Sequence, residues 1–246
     1  SLTRRRTPGL RREEVAQRAN VSATWYTWLE QGRGGTPSAE VLDRLAYALT
    51  LTEAEREHLF LLAQQRPPPV QYREAERITP QLQRVLDSLE FSPALVRNAA
   101  WDVVAWNRAA AAVMGDYGAV PLHERNVLRL MFTDPAAKTR LPDWEKEAYN
   151  TVAGFRADAA RAGASERFSA LIDELSGTSA EFAALWRSHD VRSYVSGTKV
   201  MRHAVAGLMS FEYSSFAVDG RPDLSLVIFT PATPEDSSRV RDLLRP

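Results

Sequence analysis

Apolar side chains recur at spacings of three and four from Val15 onward, and this pattern predicts a helix, a tight turn and a second helix over residues 10–36. Val15, Ala16 and Ala19 share one side of the first helix, with Glu13, Gln17 and Arg18 outside. Asn20-Val21-Ser22 reads as the turn: asparagine tolerates a left-handed backbone, Val21 is a small apolar plug, and Ser22 is a good N-cap. The second helix buries Tyr26 and Leu29 and ends at Gly32, a residue suited to the position just past a helix C-terminus. A further helix follows Ser38 and carries Val41, Leu42, Leu45 and Leu49. Thr52-Glu53-Ala54-Glu55 is a capping box that opens another, with Leu59, Leu62 and Ala63 apolar.

Pro67-Pro68-Pro69 cannot continue a helix and favours an extended chain. The expected organisation is a helical domain over 1–66, a Pro-rich linker over 67–78 and a second domain over 79–246. That second domain opens with Thr79 as N-cap and Pro80 at the first helical position, and Leu82, Val85, Leu86 and Leu89 form one face. Residues 93–96 and 103–106 read as two short strands, and Asn107 can cap a helix ending near Gly115. Residues 124–190 are predicted to be helical, with Trp144, Ala148, Val152 and Phe155 in one stripe, Phe168, Leu171, Ile172 and Leu175 in another, and Phe182, Leu185 and Trp186 in a third. The period then changes to two. Met209, Phe211 and Tyr213 alternate with Ser210, Glu212 and Ser214; Asp219-Gly220 marks a turn; 224–229 is a nearly continuous apolar strand; and 198–203 makes a third. The fold class is α+β: a helical domain, then an antiparallel sheet with helices in an order like that of PAS domains.

Charge changes this picture. The 246 residues are neutral overall, yet residues 1–35 hold seven arginines against three glutamates, so the remainder is acidic. A basic end bearing a helix–turn–helix, joined to an acidic body, suits a DNA reader carrying a second, non-DNA-binding domain. Ala23, Thr24, Trp25, Thr27 and Trp28 fall on the outward, early part of the second helix, where such motifs meet base edges, with Ser22 at its start. Two tryptophans three apart usually belong to a core. Here Tyr26 and Leu29 already occupy that side, so DNA contact is favoured for Trp28, while Trp25 is left open between DNA and packing. Arg4, Arg5, Arg6, Arg11 and Arg12 flank the first helix and Arg33 follows the second; guanidinium groups there suit phosphate oxygens. Glu30 reads as a structural carboxylate rather than a base reader.

Four stretches resemble the MmyB-like regulators of bacteria, whose DNA-binding part is of the XRE/Cro type: RRRTPGLRREEVA (4–16), VSATWYTWLEQGR (21–33), PSAEVLDRLAYAL (37–49) and WDVVAWNRAAAAV (101–113). The resemblance covers nearly the whole chain. It implies a helix before the Arg-rich segment, for which the residues ahead of Arg4 leave no room. It also implies a ligand pocket between sheet and helices. The candidate walls are the large apolar side chains Trp101, Trp106, Met114, Met131, Phe132, Trp144, Phe155, Trp186, Tyr194, Met209, Phe211 and Phe229, although core packing alone accounts for most of them. Arg202 and His203, beside a predicted strand, are candidates to meet an acidic head group. A small apolar ligand follows, a fatty acid or a similar lipid-like molecule.

Catalysis finds no support in the sequence. His58, His123, His189 and His203 are scattered, Glu145 and Glu147 lie on an ordinary solvated helix, Ser214-Ser215 has no visible base, and there is no Gly-rich phosphate loop. With no cysteine, thiolate metal sites and flavin–thiol photochemistry are disfavoured. The expectation is a non-enzyme without cofactor or metal. No apolar run approaches the ~18 residues that span a bilayer and no signal peptide is visible, which points to the cytoplasm and away from membranes. The leading reading is therefore a ligand-responsive, homodimeric regulator that binds double-stranded DNA. The alternative is a protein-interaction module whose PAS-like part is a dimerisation scaffold without ligand.

Overall fold

The computed structural model describes residues 9–33, 35–68, 78–162, 166–190 and 196–245. Arg4, Arg5, Arg6, Tyr194 and most of the predicted linker lie outside them. The chain divides after Pro69 into two compact units.

In the first unit, α1 (Arg12–Arg18), α2 (Ala23–Glu30), α3 (Ala39–Ala48) and α4 (Glu53–Gln64) are short helices with well-defined ends. Three close with the same device. Asn20, Gly32 and Thr50 take φ of +53°, +71° and +55°, and in each case the next residue donates its N–H back to the third-last helical carbonyl: Val21 to Ala16 (2.9 Å), Arg33 to Trp28 (2.8 Å) and Leu51 to Ala46 (3.0 Å). Ser22, Ser38 and Thr52 cap the starts of α2, α3 and α4. The core joins Val15, Ala16, Ala19, Tyr26, Leu45 and Ala48. Helix α4 departs from the expectation for Leu62, which is 71% exposed; the helix buries Arg56 and Phe60 instead. Those two are one turn apart and set the inward face, and Leu62, two residues past Phe60, is turned away from it. Arg56 is held there by Asp43 at 2.7 Å and Glu53 at 3.0 Å.

The second unit is built on one antiparallel sheet. It begins with α5 (Pro80–Ser88), β1 (Ala94–Asn98), β2 (Val103–Trp106) and α6 (Arg108–Met114). Helices α7 (Val127–Phe132), α8 (Ala137–Arg140), α9 (Trp144–Ala162), α10 (Glu166–Thr178) and α11 (Ala180–Arg187) follow. The chain then returns to the sheet as β3 (Ser196–His203), β4 (Gly207–Val218) and β5 (Arg221–Pro231) and ends in α12 (Pro234–Leu243). The strand order β2-β1-β5-β4-β3 puts β5 in the middle, paired with β1 from the start of the unit. Cross-strand register places Leu95 opposite Val227, Tyr213 opposite Phe229, Lys199 opposite Phe211 and Met201 opposite Met209, so these residues share one face.

Alternation sends Ala94, Val96, Leu224, Leu226 and Ile228 to the other face, where Leu86 of α5 packs. Val85, expected on the same stripe of α5 as Leu86, is 49% exposed: it sits at the stripe's edge. Asn107 ties several elements together. Its side-chain oxygen accepts N–H groups of Ala94 and Ala110, and its amide donates to the carbonyls of Leu86, Leu89 and Ser92. A second core, of Trp101, Phe155, Phe168, Leu171, Leu175 and Phe182, fills the space among α9, α10 and α11. Among the described residues, no helix is long and apolar enough to cross a membrane.

Candidate functional site

Each unit carries one candidate site. In the first, Ser22 Oγ accepts the Trp25 N–H at 3.0 Å and fixes the start of α2. Ala23 and Thr24 are exposed, Trp28 is 51% exposed, and Arg11 and Arg33 stand in solvent. Thr27 is half-buried and already donates its hydroxyl to the Ala23 carbonyl at 2.8 Å, which leaves its oxygen as an acceptor. Trp25 packs partly against the helical core, so the two tryptophans separate into one buttress and one exposed ring.

Arg12, 66% exposed at its side chain, pairs with Glu30. Glu30 is also the hydrogen-bond partner of Tyr26, whose phenol is pushed above its ordinary pKa first by burial and then by the Glu30 charge. Glu30 thus joins the start of α1 to the end of α2, and the rest of Arg12's fork faces solvent.

The second site is a cavity of about 220 Å³ between the sheet and the first helices of the unit. The sheet contributes Leu95 and Arg97 from β1, Val227 and Phe229 from β5, and Lys199 and Met201 from β3. Each pair is two residues apart, as strand alternation requires for one face. Opposite stand Val113 and Met114 of α6, Tyr117, Leu130 and Met131 of α7, and Leu141, with Arg140 and Asp134 forming an ion pair on the wall. Gly115 ends α6 at φ +103° and lets the chain turn along the cavity edge.

Two buried cations set the electrostatics. Arg97 is 3% exposed; its guanidinium lies 3.4 Å from the Trp101 ring centre and 3.4 Å from Asp158 Oδ2. Trp101 Nε1 donates to the same oxygen at 2.7 Å. Trp101 is fully buried at φ +66°, a left-handed backbone that costs an aromatic residue roughly 1–2 kcal/mol. Its ring contacts, its side-chain bond and the Val127 N–H on its carbonyl (3.0 Å) hold it there. Lys199, 9% exposed, lies 3.5 Å from Glu147, which is 4% exposed.

Of the expected pocket walls, Trp101, Met114, Met131 and Phe229 line this cavity. Arg202 touches its rim, but alternation after Met201 turns its side chain toward the opposite face with Leu208. The others lie elsewhere. Phe132 and Phe155 join Phe182 and Trp186 in aromatic packing with ring centres 5.2–6.0 Å apart. Trp144 packs edge-on to Phe132 and donates Nε1 to the Met131 carbonyl. Trp106 rests on Tyr117 at 5.4 Å. Met209 and Phe211 are fully buried in the sheet core. His203 Nδ1 accepts the N–H groups of Val205 and Ala206, so it closes the β3–β4 turn rather than facing the cavity.

Sequence reasoning passed over Arg97 and Lys199. A signal existed for each: Arg97 interrupts the apolar run of β1, and Lys199 alternates with Met201 as one of three lysines in the chain.

Comparison with known proteins agrees with both units. The family described as MmyB-like transcription regulator ligand binding domain matches residues 78–243, and a helix-turn-helix domain family matches residues 3–59. A search of curated proteins finds no match. With the first of these families covering well over half of its length and a helix-turn-helix preceding it, the chain belongs to the MmyB-like transcription regulators.

Proposed function

We propose that this ligand-responsive regulator senses an amphipathic organic acid, of which a fatty acid is the simplest form, and answers by changing its affinity for an operator. The observation that carries this reading is the cavity: its walls are mostly apolar, and two buried cations stand on its sheet side. Apolar walls reward removal of hydrocarbon from water, and a few fixed polar groups set orientation. A volume near 220 Å³ exceeds the ~150 Å³ that holds a benzene ring in an apolar core, and falls short of the ~300 Å³ at which pockets for drug-sized ligands begin. A short or medium chain fits that space; a long-chain acid requires it to widen or to let the tail leave through the opening.

The DNA-binding set in this reading is Arg11, Arg12 and Arg33 on phosphates, with Ala23, Thr24, Thr27 and Trp28 toward base edges. Ser22 and Trp25 hold α2 in place. A homodimer is part of the proposal, because two such helices read half-sites about one helical turn apart. Ligand acts by population shift: it favours whichever state binds it better, and that state has a different operator affinity.

Thermal unfolding of the full chain with saturated acids of increasing length tests the reading. A ligand of the folded state raises Tm, and affinity should rise roughly fourfold per methylene until the cavity is full. A Tm indifferent to every acid would leave the scaffold reading in its place.

A further inference from the structure

Helix α9 reaches both buried cations of the cavity without lining the cavity itself. Glu147 and Asp158 are about three turns apart, hence on one face of the helix, and they meet Lys199 on β3 and Arg97 on β1. The two pairs are built differently. Asp158 accepts Trp101 Nε1 at 2.7 Å and pairs with Arg161 as well as Arg97, whose guanidinium is pressed on the Trp101 ring. That cluster is cross-braced. Lys199 and Glu147 stand 3.5 Å apart, beyond the ~2.7–2.9 Å of a close charge-assisted hydrogen bond, although their side chains are only 11% and 6% exposed. A lysine ammonium has three donors on a flexible stem, and Lys199 faces the cavity on one side and α9 on the other.

We propose that Lys199 is the head-group receptor of this cavity and that Glu147 is its built-in competitor. A ligand carboxylate arriving at Lys199 from the cavity side weakens the Glu147 contact and loosens the first half of α9 from its tie to β3. The inference rests on the ligand reading above and adds how an acid is told from a neutral molecule. An alcohol of the same length fills the apolar space but leaves Lys199 and Glu147 paired. Occupancy and signal are thereby separated: a neutral molecule occupies the site without releasing α9.

Octanoate and 1-octanol, titrated calorimetrically into the full chain, are the probes, with amide hydrogen exchange along α9 as the second readout. Octanoate should bind more tightly than octanol and lower protection over residues 147–155, whereas octanol should not. Glu147→Gln, which removes the competing charge at constant shape, should tighten octanoate about tenfold and leave octanol unchanged. The double variant Lys199→Met with Glu147→Gln removes both charges of the pair together, and it should erase the preference for the acid. An octanoate-to-octanol ratio that stays the same in Glu147→Gln, or equal loss of α9 protection with both probes, overturns the inference while leaving the cavity as a ligand site. Failure of both probes to bind the wild-type chain overturns the ligand reading and this inference with it.

Discussion

Trp25 and Trp28 sit three residues apart on α2, yet Trp25 packs against the helical core and Trp28 is half in solvent. Substituting each should therefore produce different losses. Trp28→Ala should leave Tm nearly unchanged and alter preference at defined base pairs, by roughly 1–3 kcal/mol for a lost good contact. Trp25→Ala should lower Tm and weaken binding to all sequences alike. Parallel melting curves and binding to a panel of single-base operator variants check both. Equal losses on every operator for Trp28→Ala would remove it from base reading.

Arg12 holds Glu30 with one part of its fork and is otherwise open to solvent. Arg12→Ala should weaken binding to every DNA sequence and reduce the slope of log affinity against log salt by about one counterion. Because the substitution also strips Glu30 of its cation, a small drop in Tm is expected beside it. Binding measured between low and moderate salt gives the slope; an unchanged slope with altered sequence preference would contradict phosphate contact.

Gly197 faces Tyr213 across β3 and β4, and a Cβ there would stand 2.8 Å from the Tyr213 hydroxyl and 2.9 Å from its ring edge. Gly197→Ala should cost about 1–3 kcal/mol through overpacking, since Tyr213 is 6% exposed and has little room to retreat. Combining it with Tyr213→Leu should cost less than the two single substitutions added together. Urea unfolding of the four proteins measures the coupling.

Arg129 donates to both carboxylate oxygens of Glu174, at 2.7 and 2.6 Å, and this lowers the Glu174 pKa from its usual range. A carboxyl whose folded pKa is depressed contributes stability that is present above its unfolded value and lost as pH falls through the folded one. The Tm difference between wild type and Glu174→Gln should thus be widest near neutral pH and close progressively below about pH 4. A difference that grows on acidification would contradict the assignment. Because Glu174 is 43% exposed at its side chain, the whole effect should be modest.

Local signals were readable in the sequence because they depend on near neighbours. Ser22, Ser38, Thr52, Thr79 and Asn107 are N-caps, and Met209, Phe211 and Tyr213 point to one side of a strand, as spacing alone implied. The cavity was less legible. Phe132, Phe155 and Trp186 carry the same apolar signal as Met131 and Phe229, and periodicity cannot say which of two cores a helical stripe faces. Arg97 and Lys199 were hidden for another reason: a buried charge is tolerable only with a partner, and theirs come from a helix distant in sequence.

The pairing of β1 with β5 has a consequence for synthesis. Residues 94–98 hydrogen-bond to residues 224–228, so the central seam of the sheet joins nearly the first and last parts of the second unit to emerge from a ribosome. Contacts so far apart in sequence close slowly, because loop entropy is spent before the pairing rewards it. Until β5 appears, the β1–β2 hairpin has an open edge made of Ala94, Leu95 and Val96, an apolar template for another nascent chain. Any truncation ahead of residue 221 leaves that edge bare permanently, and such fragments should be recovered as aggregates rather than as a smaller folded domain.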